Sequence, residues 1–191
     1  METDCQSTLK AFAAQTIKFV DQLKAFLDSE KTKIQKMWQL SSKLKLLTSS
    51  VPQKYPKEVT EAVLGEITAE LNFLLNEHSS KLVDCESELL ILQRDHRTFK
   101  QTSICLNSPK DSEIFCGNEY QKPLSYFINI GDDLISEAKL ILLNLRTAFD
   151  VLQMNDVPSF ENYRKSFVVA DDFLHLLNEF YAFCTIFMKY S

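Results

Sequence analysis

Residues 71–99 read LNFLLNEHSSKLVDCESELLILQRDHRTF. Alternating steps of four and three select Leu71, Leu75, His78, Leu82, Cys85, Leu89, Leu92, His96 and Phe99. That alternation is the seam of a helix packed lengthwise on its neighbours, because a repeat of about 3.5 residues keeps one stripe facing a partner. Val59, Val63 and Ile67 continue the stripe upstream, and Pro56 stands where a first-turn proline is tolerated. The spacing predicts a helix over 57–105, with Glu58 and Glu61 favourable beside its positive end.

Outward from this seam the chain keeps its helical period. Leu9, Phe12, Phe19, Leu23, Phe26 and Leu27, then Ile34, Met37, Trp38, Leu40, Leu44, Leu46 and Leu47, predict a helix over 7–49 that Pro52 and Pro56 end. Charged and polar residues from Asp28 to Lys33 interrupt its stripe, which implies either a bend or a polar position in one long rod. Residues 107–123 hold Asn107, Ser108, Pro109, Asp111, Gly117 and Asn118, the chemistry of a turn, and exceed an ordinary helix connection. Ile114, Phe115 and Tyr120 inside it imply a loop lying on the body, a candidate docking or regulatory element.

A third helix is predicted over 124–153, its apolar face running from Phe127 through Leu134, Ala138, Leu142 and Leu145. Gly131 within that face implies close approach of a neighbouring group. The fourth helix is predicted over 160–190, with Ser159 as its N-cap. Read as one cylinder, Phe160, Tyr163, Phe167, Phe173, Leu177, Phe180, Phe183 and Phe187 cover most of its circumference and leave a polar edge at Asp171, Asp172, His175 and Glu179. The fold class is all-α: a single domain, 1–191, built as a bundle of about four long antiparallel helices with coiled-coil-like packing.

Composition narrows the function. A chain of 191 residues can bury one real core. Three glycines are too few for glycine-built phosphate loops, and no nucleotide-loop or zincin motif occurs. The five cysteines, an odd set without Cys-x-x-Cys spacing, point to a reducing compartment, cytoplasm or nucleus. No basic stretch followed by an apolar run opens the sequence, which implies no secretory leader, and no uncharged run reaches the roughly 20 residues of a membrane span. Neither His78 nor His96 follows a glutamate by three residues, as a carboxylate-bridged metal site in a bundle requires. The sequence therefore nominates no catalytic residue, no metal ligand and no cofactor.

Charge is unevenly spread. Residues 1–57 hold ten lysines and five acids, and the remainder eleven basic and twenty-one acidic residues. The two parts can attract each other, or the basic end can meet an acidic partner. Lysines alone, without arginine, argue against nucleic acid as the partner. His78 and His96 in the seam read as hydrogen-bonded register residues, with a pH-sensitive interface as the alternative.

The reading that results is a non-catalytic helical scaffold or adapter subunit of an intracellular complex. It would bind one or more proteins, helical ones among the candidates, as a homo- or hetero-oligomer. The candidate interface residues are Phe173, Leu177, Phe180 and Phe187, the seam residues Leu75, Leu82, Leu89 and Phe99, and Trp38, the one tryptophan. The alternatives are a four-helix signalling protein and, after it, a nucleic-acid-associated helical protein.

Overall fold

The computed structural model describes residues 2–50, 56–106 and 113–190. Every regular element among them is a helix: α1 (Glu2–Ser50), α2 (Lys57–Ile104), α3 (Glu113–Cys116), α4 (Leu124–Asp150), α5 (Val157–Ser166) and α6 (Asp171–Tyr190). The chain divides into two compact units. Unit 1 comprises 1–24, 85–141 and 169–191; unit 2 comprises 25–84 and 142–168.

In each unit α1 and α2 run antiparallel. In unit 1, Thr8 faces Thr102 at 2.7 Å and Lys18 faces Glu88, also at 2.7 Å. In unit 2, Glu30 faces His78 at 2.7 Å and Lys36 faces Glu70 at 2.5 Å. Rising numbers on one helix meet falling numbers on the other. These lysines of α1 meet acids of α2, so part of the charge asymmetry in the sequence is internal attraction.

The core of unit 1 is aromatic. Phe12, Phe99, Phe127, Phe180 and Phe187 are almost wholly buried, and Phe12 stacks on Phe99 with ring centroids 5.7 Å apart. Gly131 supports this packing, because a Cβ there would stand 2.6 Å from His96 Nε2 and 2.8 Å from Phe12 Cζ. In unit 2, α1 buries Phe26, Leu27, Ile34, Met37, Leu40 and Leu44, while α5 buries Phe160 and Tyr163.

One alternative left by the sequence is decided here, and three readings change. At 28–33 the chain takes the second alternative, a polar position in one long rod: α1 is continuous, and Glu30 is buried within it. The segment 160–190 is two helices, not one, parted at Phe167–Ala170. From Phe167 to Phe173 is six residues, about 600° of helix and so roughly 120° off the earlier stripe. Placing two stripes of different phase on one cylinder made it look apolar all round. With the break, α6 has one stripe, Phe173, Leu177, Phe180, Cys184 and Phe187. The cap of α5 is Asp156, and Ser159 lies inside the first turn with its hydroxyl donating to the Asp156 carbonyl. In α2 the buried residue after Leu71 is Leu74, while Leu75 is half-buried.

The long loop is helical over one turn, α3, then closes at Gly117. Its φ of 77° needs glycine, since a Cβ would meet Gln121 O at 2.7 Å. Asn118 follows with its side-chain oxygen accepting from the amides of Tyr120 and Gln121. Tyr120 stacks on Tyr190 at 4.6 Å, so this part of the loop does lie on the body of unit 1. Residues 107–112 of the loop and Pro52 fall outside the described residues, as does the side chain of Ile114.

Candidate functional site

Two features of unit 2 invite a functional reading, and the first is a buried polar centre. α1 supplies Glu30, α2 supplies His78 and Lys81, and α5 supplies Tyr163. His78 Nδ1 lies 2.7 Å from Glu30 Oε2, and Nε2 bonds the Tyr163 hydroxyl. An ionised carboxylate only accepts, so Nδ1 carries the proton and Nε2 accepts from Tyr163 O–H. Lys81 donates to the other oxygen of Glu30 at 2.8 Å, Ser29 at 3.2 Å, and Lys33 Nζ lies 3.5 Å away. Glu77 pairs with Lys33 and lies 3.8 Å from Lys81. With a neutral imidazole, two lysines and two glutamates balance to zero.

Burial pushes the His78 imidazole below its ordinary pKa, against the pull of Glu30. Burial by itself would raise the Glu30 carboxyl. The hydrogen bonds and charges of Lys81, His78 and Lys33 together outweigh it and hold that carboxyl below the usual carboxylate range. Burial raises the Tyr163 phenol, and Arg146 and Asp150 of α4 add opposing smaller effects. Together these shifts favour one protonation pattern at neutral pH.

A tyrosine, a histidine and a carboxylate in series are the parts of a proton relay, yet here they have no access to solvent. Glu30, His78 and Tyr163 are each 0% exposed. Phe26, Phe149 and Phe167 close on the imidazole with centroids 5.5 to 5.7 Å away. No reacting molecule can reach Nε2. The arrangement fixes the register of α1, α2 and α5, because each polar atom is satisfied in only one alignment.

His96, the other seam histidine, lies in unit 1 under different terms. Its Nε2 is buried without a hydrogen bond, and Nδ1 lies 3.6 Å from Asp132, which Lys100 holds at 2.6 Å. Burial again lowers its pKa. Among the described residues no group of three or more His, Cys, Asp or Glu could hold a metal ion, and no helix is long and apolar enough to cross a membrane. The five cysteines form no disulfide; Cys184, sunk beside Thr16, has its thiol pushed up to about 12 by burial.

The candidate interface residues go mostly into the core. Phe173, Leu177, Phe180 and Phe187 are buried in unit 1, as are Leu89 and Phe99, and Leu82 is buried in unit 2. These side chains close the chain's own core, so they present no surface. Trp38 and Leu75 are half-buried, and the Arg164 guanidinium covers the Trp38 ring at 5.6 Å.

The second feature is the surface that remains. Leu40, Lys43, Leu46 and Leu47 of α1 and Val63, Glu66, Ile67 and Glu70 of α2 line a groove of about 480 Å³. Leu46 is 61% exposed, Val59 51% and Val63 38%. The expected extension of the α2 seam through Val59 and Val63 thus fails to be buried. The turn between α4 and α5 meets α1 at Ser41, whose hydroxyl donates to the Met154 carbonyl at 2.8 Å. The exposed apolar residues follow beyond that level. Their signal was in the sequence as Leu46 and Val63 at seam spacing, but spacing alone does not tell which end of a seam lacks a cover.

Comparison with protein-family models, with curated proteins and with solved structures finds no match.

Proposed function

We propose that this chain is a non-catalytic helical subunit of a protein assembly, an adapter that binds protein through the groove between the end of α1 and the start of α2. The observation that carries the reading is the cluster of Leu46, Leu47, Val63 and Ile67 left open on two adjacent helices. An apolar face between two helices is the usual seat for a helix of another protein, which inserts side chains at three- and four-residue steps. The sealed state of the His78 centre supports a structural role for the chain's most reactive-looking residues. Lys18, Lys33 and Lys36 of the basic helix are engaged by Glu88, Glu77 and Glu70, which favours a protein partner over nucleic acid. Cys5, Cys85 and Cys184, packed in cores as thiols, fit a reducing compartment, cytoplasm or nucleus.

The test is affinity isolation of the tagged chain from its source cells, with Val63→Glu as the comparison. Because Val63 is partly exposed, the variant keeps its thermal midpoint and loses a stoichiometric co-purifying protein. Recovery of the same proteins with both chains would overturn the proposal.

A further inference from the structure

The groove has opposite charges on its two rims. Lys43 stands on the α1 side, and Glu66 and Glu70 stand on the α2 side. Lys43 and Glu66 make no ion pair among the described residues, whereas Glu70 pairs with Lys36. The groove is also set apart from the layer that α4 and α5 cover. On α1 the core stripe runs Ile34, Met37, Ser41 and Leu44, and Lys43 lies about 100° round the helix from Leu44. On α2 the stripe starts at Leu71 and Leu74, and Glu70 lies about 100° round from Leu71 in the same sense. Since the helices are antiparallel, both offsets open on the same side of the pair.

We infer that the occupant of this groove is a second copy of the chain. This deepens the adapter reading and rests on it. A two-fold axis parallel to the helices lays α1 of one copy over α2 of the other. The Lys43 rim then meets the Glu66–Glu70 rim twice, and the two apolar seams close into a four-helix bundle. A two-helix face with one basic and one acidic rim is its own complement. The groove residues Val63–Glu70 span about 12 Å of helix, so the contact belongs with small, reversible interfaces below about 1,200 Å² in total.

Sedimentation velocity on the full chain at low ionic strength, over a concentration series from micromolar to several hundred micromolar, tests this. The expected result is a reversible monomer–dimer equilibrium that Val63→Glu abolishes. Lys43→Glu and Glu66→Lys, both surface changes that leave the circular dichroism of the chain intact, each weaken self-association several-fold. Lys43→Glu makes both rims acidic, and Glu66→Lys leaves the α2 rim without its net acidity. Mixing the two variants in equal amounts restores dimer as a heterodimer. The acidic α1 rim of the Lys43→Glu chain then faces the new lysine on α2 of the Glu66→Lys chain, and the other contact keeps its native charges. A wild-type chain that stays monomeric throughout would overturn the inference while leaving the groove open to a different protein, a case the affinity isolation decides separately. A dimer indifferent to all three substitutions, or a mixture no tighter than its components, would overturn it too.

Discussion

Replacing His78 by phenylalanine is the sharpest probe of the buried centre. Phenylalanine keeps an aromatic ring against Phe26, Phe149 and Phe167 but a larger one, so some overpacking adds to the loss of the pair of hydrogen bonds. Loss of the bond to the charged Glu30 costs about 1.5–3 kcal/mol, and the Tyr163 hydroxyl left unpaired adds about 1–3 kcal/mol. The lost hydrogen bonds sum to a destabilisation of about 2.5–6 kcal/mol at neutral pH, large against the stability of an ordinary domain. The pH dependence should change as well. The folded-state pKa of His78 lies below its unfolded value of 6.5, so the unfolded chain binds the proton more readily. Its contribution is complete above pH 6.5 and is lost as pH falls towards the folded value. His96, also lowered, acts in the same direction. Each histidine can steepen the loss by at most about 1.4 kcal/mol per pH unit. Glu30 adds a second window below about pH 4.5, where its depressed pKa makes protonation unfavourable to the fold. Urea titrations between about pH 7.5 and 4.5, followed by the fluorescence of Trp38 in unit 2, should show wild-type stability falling below about pH 6.5. The His78→Phe variant should start lower and fall less steeply. A wild-type profile that is flat or rising from about pH 6.5 to 5, or a variant with the same slope, would refute the assigned protonation pattern.

Two further substitutions test the core. Gly131→Ala gains up to about 1 kcal/mol of helix propensity but forces a methyl group onto His96 and Phe12, at about 1–3 kcal/mol. The net change is a lower thermal midpoint, and a higher one would show that the aromatic cluster yields. Phe180→Ala should cost about 3–5 kcal/mol, since its ring is fully buried. Phe73→Ala, at a side chain 66% exposed, should stay within about 0.5 kcal/mol by denaturant titration. Equal effects at the two positions would contradict the packing.

The helical period was plain in the sequence, and the seam histidines and the turn at Gly117 were legible with it. The buried carboxylate was legible only in part. Glu30 stands four residues after Phe26 and four before Ile34, a stripe position, but its charged neighbours made it look like surface. Only the partners that surround it, His78 and Lys81 on α2 and Tyr163 of α5 beyond the imidazole, explain why a carboxylate can sit there. The break at Phe167–Ala170 also left a trace: Arg164 and Lys165 suit the end of a helix and Asp171 and Asp172 the start of another. The continuous apolar run concealed it. Which stripe residues stay uncovered was not legible, because periodicity identifies a stripe and not what covers it. Phe173, Phe180 and Phe187 are covered by their own chain, while Leu46 and Val63, less conspicuous, are not.

Amide hydrogen exchange on the chain, alone and in its native assembly, tests most directly whether the groove is the working surface. The account predicts slower exchange in the assembly over residues 40–47 and 59–70, with no change around Glu30, His78 and Tyr163. Protection confined to other surfaces, with residues 40–47 and 59–70 exchanging as in the free chain, would contradict it.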